Sequence, residues 1–262
     1  YMKIKTSSKL NLFLKVISKR DDGYHDIKTI MSEFDFGDEI FISKSSTDSF
    51  NSNMVSTGPN LVEKALLKLR EHVSVPSVSI ELKKMTPIGS GMGTGSSDAA
   101  ETLKGLNDFF NLKLDRTMLL KIAAEIGMDV PFFIDGKLAL ATNRGDELKA
   151  IDGIFKKALV VMDEPVISKN IYTLLEPSDF DSDEPNTLIL PVLRNYPKVR
   201  DFYYHLQNID KNFRMSGAGG AFFLIGENDY LNQVKNKVSA KLKMIVDIRV
   251  PEVGYDDFIF SS

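Results

Sequence analysis

The segment Pro87-Ile88-Gly89-Ser90-Gly91-Met92-Gly93-Thr94-Gly95-Ser96-Ser97-Asp98-Ala99-Ala100 constrains this 262-residue chain more than any other. Glycine occupies every second position from Gly89 to Gly95. Before the segment, Val78 to Leu82 alternates apolar and polar residues, the pattern of a half-buried strand. After it, Ala99, Ala100, Leu103 and Leu106 recur at helical spacing. A glycine turn feeding a helix leaves backbone N–H groups unpaired at the positive end of the helix dipole, and glycine lets a ligand approach the backbone. A phosphate is the expected occupant. A flexible glycine-serine linker is the competing reading, and it is disfavoured because such linkers rarely join a strand to a well-patterned helix.

Two familiar phosphate loops fail by counting. A Walker A loop requires lysine after its final glycine, and here Ser96 follows Gly95. The dinucleotide fingerprint requires glycines at offsets zero, two and five, and starts at Gly89, Gly91 and Gly93 meet Thr94, Ser96 and Asp98 at the last place. Serines rather than a lysine must complete this cradle.

The remaining punctuation suggests an α+β chain. Residues 1 to 45 look β-rich, interrupted by the turn signal Arg20-Asp21-Asp22-Gly23. Asn60, with Glu63 three residues on, is placed to cap a helix over about 60–72. A helix ending near Arg214 is expected to lead through the turn Ser216–Gly220 into an apolar strand, Ala221 to Ile225. Plausible turns between Gly136 and Asp152 are where two lobes could meet, and the acidic, proline-containing stretch Glu176–Pro185 reads as a surface loop.

Composition removes several function classes. The chain has no cysteine, so disulfides, thiolate metal sites and cysteine nucleophiles are absent, and three scattered histidines make a histidine metal site improbable. A formal charge of -3, with no basic stripe, gives no electrostatic footprint for nucleic acid or an anionic membrane surface. No apolar run approaches the ~18 residues of a membrane span, and Tyr1 to Leu10 lack a signal-peptide core. A cytoplasmic protein is therefore expected, with no obligate protein partner evident. Tyr1, standing ahead of Met2, is expected to be an addition to the natural chain.

The glycine segment resembles the second motif of the GHMP kinase superfamily, named for galactokinase and the homoserine, mevalonate and phosphomevalonate kinases. Three further stretches extend the resemblance toward the branch acting on 4-diphosphocytidyl-2-C-methyl-D-erythritol. They are Lys9-Leu10-Asn11-Leu12-Phe13-Leu14 with Lys19 to His25, Gly127-Met128-Asp129-Val130-Pro131-Phe132-Phe133, and Met215-Ser216-Gly217-Ala218-Gly219-Gly220. In order and spacing they span residues 9 to 220. Met92 replaces a common leucine and Thr94 a common glycine. Thr94 is the less comfortable change, since a β-branched residue tolerates positive φ poorly.

The resemblance implies a two-lobed α+β GHMP kinase fold. Its N-terminal ATP-binding lobe, about 1–150, would be like the second domain of ribosomal protein S5 with a left-handed βαβ crossover. The C-terminal lobe, about 151–262, would be ferredoxin-like, with the active site in the cleft between the lobes. It implies ATP-dependent phosphorylation of the 2-hydroxyl of the diphosphocytidyl alcohol, with Asp129 receiving or orienting the hydroxyl proton and Lys9 supplying the nearby cation. Pro87, Gly89, Ser90, Gly91, Met92, Gly93, Thr94, Gly95, Ser96 and Ser97 would wrap the nucleotide phosphates, with Asn60 and Lys84 toward the adenosine. Asn60 reads equally as a helix cap, Lys84 as an exposed strand-end lysine and Asp129 as a cap before Pro131. Asn11 would contact the acceptor, Tyr24 and Tyr172 would sandwich the cytosine, His25 would bond its edge, and Ser168 would lie at the same side. Mg²⁺ is implied with ATP, Ser97 being the one loop ligand suggested, and Gly217 and Gly219 would support the site. Another small-alcohol kinase, a nucleotide binder without catalysis and a nucleic-acid module are the poorer alternatives.

Overall fold

Alternating apolar residues commit the first 45 positions to strands, as expected: β1 (Met2–Lys5), β2 (Ser8–Lys19), β3 (His25–Phe34) and β4 (Glu39–Lys44). The computed structural model describes residues 1–54, 60–167 and 171–259. Its chain divides into two compact units, each assembled from separated stretches: Tyr1–Ser8, Asp35–Thr86 and Gly93–Gly136 in the first, Lys9–Phe34, Pro87–Met92 and Lys137–Ser262 in the second. These units are not the sequential halves 1–150 and 151–262, because β2 and β3 join a sheet with strands that follow residue 137.

In the first unit, β5 (Ser49–Ser52) and β6 (Val78–Lys83) complete a sheet of order β1-β4-β6-β5. The β4–β6 pair is antiparallel, setting Ile42 opposite Ile80 and Ile40 opposite Leu82. The β5–β6 pair is parallel, and α1 (Leu61–His72) runs between them in sequence, so β5-α1-β6 is a βαβ crossover. Asn60 caps α1 as its sequence suggested, its Oδ1 accepting the Val62 N–H at 2.8 Å. Helix α2 (Thr94–Phe109) comes so close to the sheet that a Cβ on Gly105 would overlap the Ile4 side chain. Helices α3 (Arg116–Ile126) and α4 (Phe132–Asp135) follow.

The second unit holds two sheets. Within Gly136–Asp152, where turns suggested that lobes could meet, the first unit ends at Gly136, and beyond it β7 (Leu138–Thr142) and β8 (Glu147–Ala150) form a hairpin that extends the sheet β2-β3-β7-β8, with Ile30 opposite Leu140. The later turn residues of this stretch make the hairpin turn, where Asn143 and Gly145 take φ of 59° and 95°. Beyond it come β9 (Gly153–Met162), α5 (Ile189–Asn195), α6 (Pro197–Ile209), β10 (Arg214–Met215), β11 (Ala221–Gly226), α7 (Asn228–Lys237) and β12 (Leu242–Pro251). A short helix, α8 (Asp256–Ile259), follows.

From β9 to β12 the strands and connections follow the ferredoxin-like arrangement expected for this part of the chain, with the two helices α5 and α6 filling the first crossover and α7 the second, in a sheet ordered β10-β11-β9-β12. Leu159, Val161, Phe222 and Leu224 of the sheet pack in one buried cluster with Val192, Val199, Phe202, Leu206 and Val234 of the helices. The helix expected to reach Arg214 ends at Ile209, because Asp210 turns the chain by accepting the Asn212 N–H at 2.7 Å. Among the described residues no helix is long and apolar enough to cross a membrane.

A buried ionic cluster ties together the ends of the first unit's elements. The Lys84 ammonium, just past β6, pairs with Asp38, just before β4, and with Asp98 of α2 at 3.0 Å. Asp38 also accepts the Met85 and Thr86 N–H groups at 2.7 and 2.9 Å, while the Thr6 hydroxyl donates to Asp98 at 2.9 Å. Burial works against charge on Asp38, yet Lys84 and the two N–H groups hold its carboxyl below the ordinary range. At Asp98 burial wins over Lys84, and repulsion from Asp38 adds to it, so this carboxyl is pushed up to about 7.

A carboxyl that binds its proton more tightly when folded loses stability for the protein as pH rises from its unfolded value toward the folded one. Each tenfold change in proton affinity is worth about 1.4 kcal/mol. We expect thermal melts of the native chain to fall between about pH 4 and 7, the interval from the unfolded carboxyl value to the raised one. In Asp98→Asn, which carries no charge at either end, that slope should flatten; an unchanged slope would remove Asp98 as its source.

Candidate active site

The glycine loop crosses from β6 to α2 with its positive φ values on Gly89 (69°), Gly91 (74°) and Gly93 (69°). Gly93 is the N-cap of α2, and no side chain caps that end. Thr94 is therefore the first helical residue, so the strain expected at a β-branched position falls on Gly93 instead. The first-turn N–H groups of a helix have no partner within it, and here no acidic side chain stands in the first turn. Pro87 and Ser96 are half-buried, while Met92 is fully buried and serves the core. The Ser90 hydroxyl accepts the Met92 N–H at 3.2 Å.

Two glycine motifs interlock in the second unit. A Cβ on Gly91 would overlap the Ser216 carbonyl oxygen and come within 2.9 Å of the Gly219 backbone. One on Gly217 would lie 2.7 Å from the Gly91 oxygen, and one on Gly220 3.0 Å from the Ser90 Cα. Hydrogen bonds lock the junction: Ala221 N–H to Ser90 O at 2.8 Å, and Val166 N–H to Gly89 O at 2.9 Å. Lys9 and Asn11, on β2, sit at the same junction. The Lys9 ammonium donates to the Gly91 carbonyl at 3.1 Å and to the Asn11 side-chain oxygen. Asn11 donates from its amide to Thr29 at 2.8 Å, and its backbone N–H to the Ser216 hydroxyl at 3.2 Å. Both residues are 3% exposed, so a lysine that composition would place in solvent is held inside, with its charge facing carbonyl oxygens.

The residues expected around the cytosine divide. His25 and Tyr172 are brought together, their ring centroids 5.5 Å apart at a tilt of 36°. Burial, with Lys19 adding its charge, lowers the His25 pKa, so the imidazole is neutral at pH 7 and offers one donor and one acceptor. Tyr24 is half exposed, and the Arg144 guanidinium lies 5.0 Å over its ring. Ser168 lies outside the described residues.

Asp129 stands half-buried in the turn between α3 and α4. It is not the cap of α4, whose N-cap is Pro131. Asn60 has its side chain committed to capping α1, and Lys84 is the centre of the ionic cluster rather than an exposed strand end. The Ser97 hydroxyl is fully buried and accepts the Ser7 N–H at 2.9 Å. Among the described residues no group of three or more His, Asp or Glu gathers to hold a metal. These side chains form no cage for Mg²⁺.

Sequence reasoning missed Asn186, which is 4% exposed and donates to the Met215 and Gly217 carbonyls at 2.9 and 2.8 Å, fixing the third motif. It also missed Phe180, Asp38 and Thr6. Nothing local marks them, because their partners are distant in sequence. Gly91→Ala is expected to lower stability by about 2 kcal/mol or more, since its Cβ meets backbone at positive φ. Chemical denaturation checks this, and a change within about 0.5 kcal/mol would contradict the interlock.

Comparison with known proteins shows the family. A family model described as the GHMP kinases N terminal domain matches residues 60–137. The 4-diphosphocytidyl-2-C-methyl-D-erythritol kinase of Persephonella marina is 34% identical over 249 residues, covering 86% of this chain and 91% of its own. The kinase of the same name from Chlamydia abortus is 34% identical over 85% of this chain and 83% of its own. A crystal structure of 4-(cytidine 5'-diphospho)-2C-methyl-D-erythritol kinase superposes with a TM-score of 0.80 at 27% identity, covering 95% of this chain and all of that one. Phosphomevalonate kinase of Streptococcus pneumoniae shares the fold, at a TM-score of 0.66 and 11% identity over 95% of this chain and 99% of its own. With glycine motifs of this geometry and relatives matched over most of its length, the chain belongs to the 4-diphosphocytidyl-2-C-methyl-D-erythritol kinase family of GHMP kinases.

Proposed function

We propose that this chain transfers the γ-phosphoryl group of ATP to the 2-hydroxyl of 4-diphosphocytidyl-2-C-methyl-D-erythritol, a step of the non-mevalonate isoprenoid pathway. The observation that carries the reading is the buried Lys9 ammonium bonded to the Gly91 carbonyl, which ties a fixed cation to the glycine loop. Phosphoryl transfer demands a positioned hydroxyl, a place for its proton, and donors or cations for the phosphate oxygens. In this reading the N–H groups at the start of α2 and the hydroxyls of Ser90 and Ser96 hold phosphate oxygens. The ATP enters as its magnesium complex, the metal being coordinated chiefly by phosphates and water.

As the acceptor oxygen forms its bond to the γ-phosphorus, the bond from that phosphorus to the bridging oxygen breaks and ADP leaves. The hydroxyl proton passes to Asp129. A carboxylate is a weak base toward an alcohol, so the Lys9 charge favours the developing alkoxide. Asn11 orients the acceptor beside Lys9. His25, neutral and flanked by Tyr172, reads the edge of the base, and Tyr24 and Tyr172 supply ring faces for it. Lys84 and Asn60 act by holding the starts of α2 and α1 in place.

Gly95 supports the phosphate reading independently. Among the described residues its Cβ would meet only the Leu61 side chain, at 3.7 Å, so neither their packing nor φ requires glycine there. Close approach of a ligand is the remaining reason. Gly95→Ala is therefore expected to keep or raise the melting temperature while weakening ATP binding by about tenfold or more in calorimetric titration. Undiminished ATP affinity would separate Gly95 from the nucleotide.

The direct test is ADP release with Mg-ATP and the diphosphocytidyl alcohol, run beside mevalonate, homoserine and galactose. Turnover confined to the cytidyl substrate is expected, and turnover of another alcohol alone would overturn the substrate assignment. Lys9→Ala and Asp129→Ala should each lower kcat by about two or more orders of magnitude with folding retained. A variant with near-native turnover would remove that residue from its role.

A further inference from the structure

The stretch Glu176–Pro185, expected from its composition to be a surface loop, carries an aromatic ring into the base-side cluster. The Phe180 ring centroid lies 6.2 Å from that of His25, tilted by 40°, so the imidazole has both Phe180 and Tyr172 as ring neighbours. Phe180 is half-buried and packs on the apolar cluster of the second unit.

Its backbone is not free to wander. Pro177–Asp181 forms a 3-10 turn whose backbone bond runs from the Asp179 N–H to the Glu176 carbonyl at 2.9 Å, while the Asp179 carboxylate accepts the Glu176 N–H at 2.8 Å. The Asp179 carboxylate, 3% exposed, takes both terminal nitrogens of Arg194 at 2.8 and 2.7 Å. Arg194, in the last turn of α5, also donates to the Leu174 carbonyl at 3.1 Å, gripping the chain on the Tyr172 side of the turn. One two-pronged guanidinium thus fixes the segments that carry both rings. A 3-10 turn alone is weakly held, and a paired buried carboxylate supplies the missing rigidity.

We propose that Phe180 is a specificity-determining wall of the pocket for a planar pyrimidine-type base, and that the Asp179–Arg194 pair is the positioning device that holds its ring beside His25. The inference rests on the kinase reading above for the identity of the base. With rings beside it on two segments, His25 keeps a fixed plane, and its neutral edge addresses the polar atoms of a base. A base lying against His25 is then bounded by an aromatic surface that the chain places through α5 rather than through the glycine motifs.

The test measures CDP binding by calorimetric titration alongside steady-state kinetics with the diphosphocytidyl alcohol and ATP. Phe180→Ala should weaken CDP binding and raise KM for the cytidyl substrate about tenfold, leaving kcat and the KM for ATP within about twofold. Phe180→Tyr, which keeps the ring, should stay near the native values. Arg194→Met should reproduce Phe180→Ala in KM and not in kcat, with Arg194→Lys between, because lysine keeps the charge and loses the fork. Native CDP affinity in Phe180→Ala, or a loss confined to kcat or to ATP, would overturn the proposal. If a variant melts early, Phe180→Leu, which keeps the apolar bulk without the ring, must show the same loss of CDP binding. A native chain that binds CDP but turns over no substrate would overturn the kinase reading while the CDP titrations still decide on Phe180.

Discussion

Where Gly91 lies against Ser216 and Gly219, and Gly220 against Gly89 and Ser90, no side chain separates the two turns, and backbone packs directly on backbone. Such a contact admits no graded substitution: any Cβ must displace a carbonyl. It also sets carbonyl oxygens facing inward, which must be bonded or left unpaired at a cost of about 1–3 kcal/mol each. Lys9 and the Ser216 hydroxyl meet the Gly91 oxygen, Asn186 meets those of Met215 and Gly217, and Ala221 meets that of Ser90. The polar side chains buried here are therefore consequences of the glycine packing. A lysine drawn inside to satisfy a carbonyl also becomes a cation held in one place beside the glycine loop.

The first unit solves a related problem with charges. Asp38, Lys84 and Asp98 come from the ends of three elements, and two carboxylates share one ammonium. A buried pair of this kind contributes little over apolar packing, but removing one partner strands the other at a cost of about 3–5 kcal/mol. It acts as a lock on register: β4, β6 and the opening turns of α2 keep their relative positions or the charges are exposed. The α2 N-terminus is then fixed by the helix interior, so its first N–H groups need no side-chain cap to hold them.

The parts legible in the sequence were those with local signals. Helix α1 and its Asn60 cap, the strand before the glycine loop and the helix after it follow from spacing within a dozen residues. The interlock of Gly91 with Gly217 and Gly219 was not legible, since each motif read alone is a turn and only the fold makes them partners. Lys84 looked like a solvated strand end because its two carboxylates lie 14 and 46 residues away. The turn signals of Gly136–Asp152 announced changes of direction, one of them at the Gly136 boundary, but not that the residues beyond it pair as the β7–β8 hairpin. Glu176–Pro185 read as loose for a similar reason: the acidic residue that looked solvated, Asp179, is buried on Arg194.

The glycines of the loop divide by what demands them. Gly89 and Gly91 are required by neighbouring backbone, Gly93 by the positive φ that starts α2, and Gly95 by neither. A loop shaped only for folding would place alanine at the last position, where a helix gains about 0.5–1 kcal/mol from it. Glycine kept there at that cost fits the proposed function, in which phosphate oxygens come within reach of the helix N–H groups. The departures of this chain from the more usual loop fall away from the loop's positive-φ positions. Met92 is turned into the core, and Thr94 takes helical φ directly after Gly93.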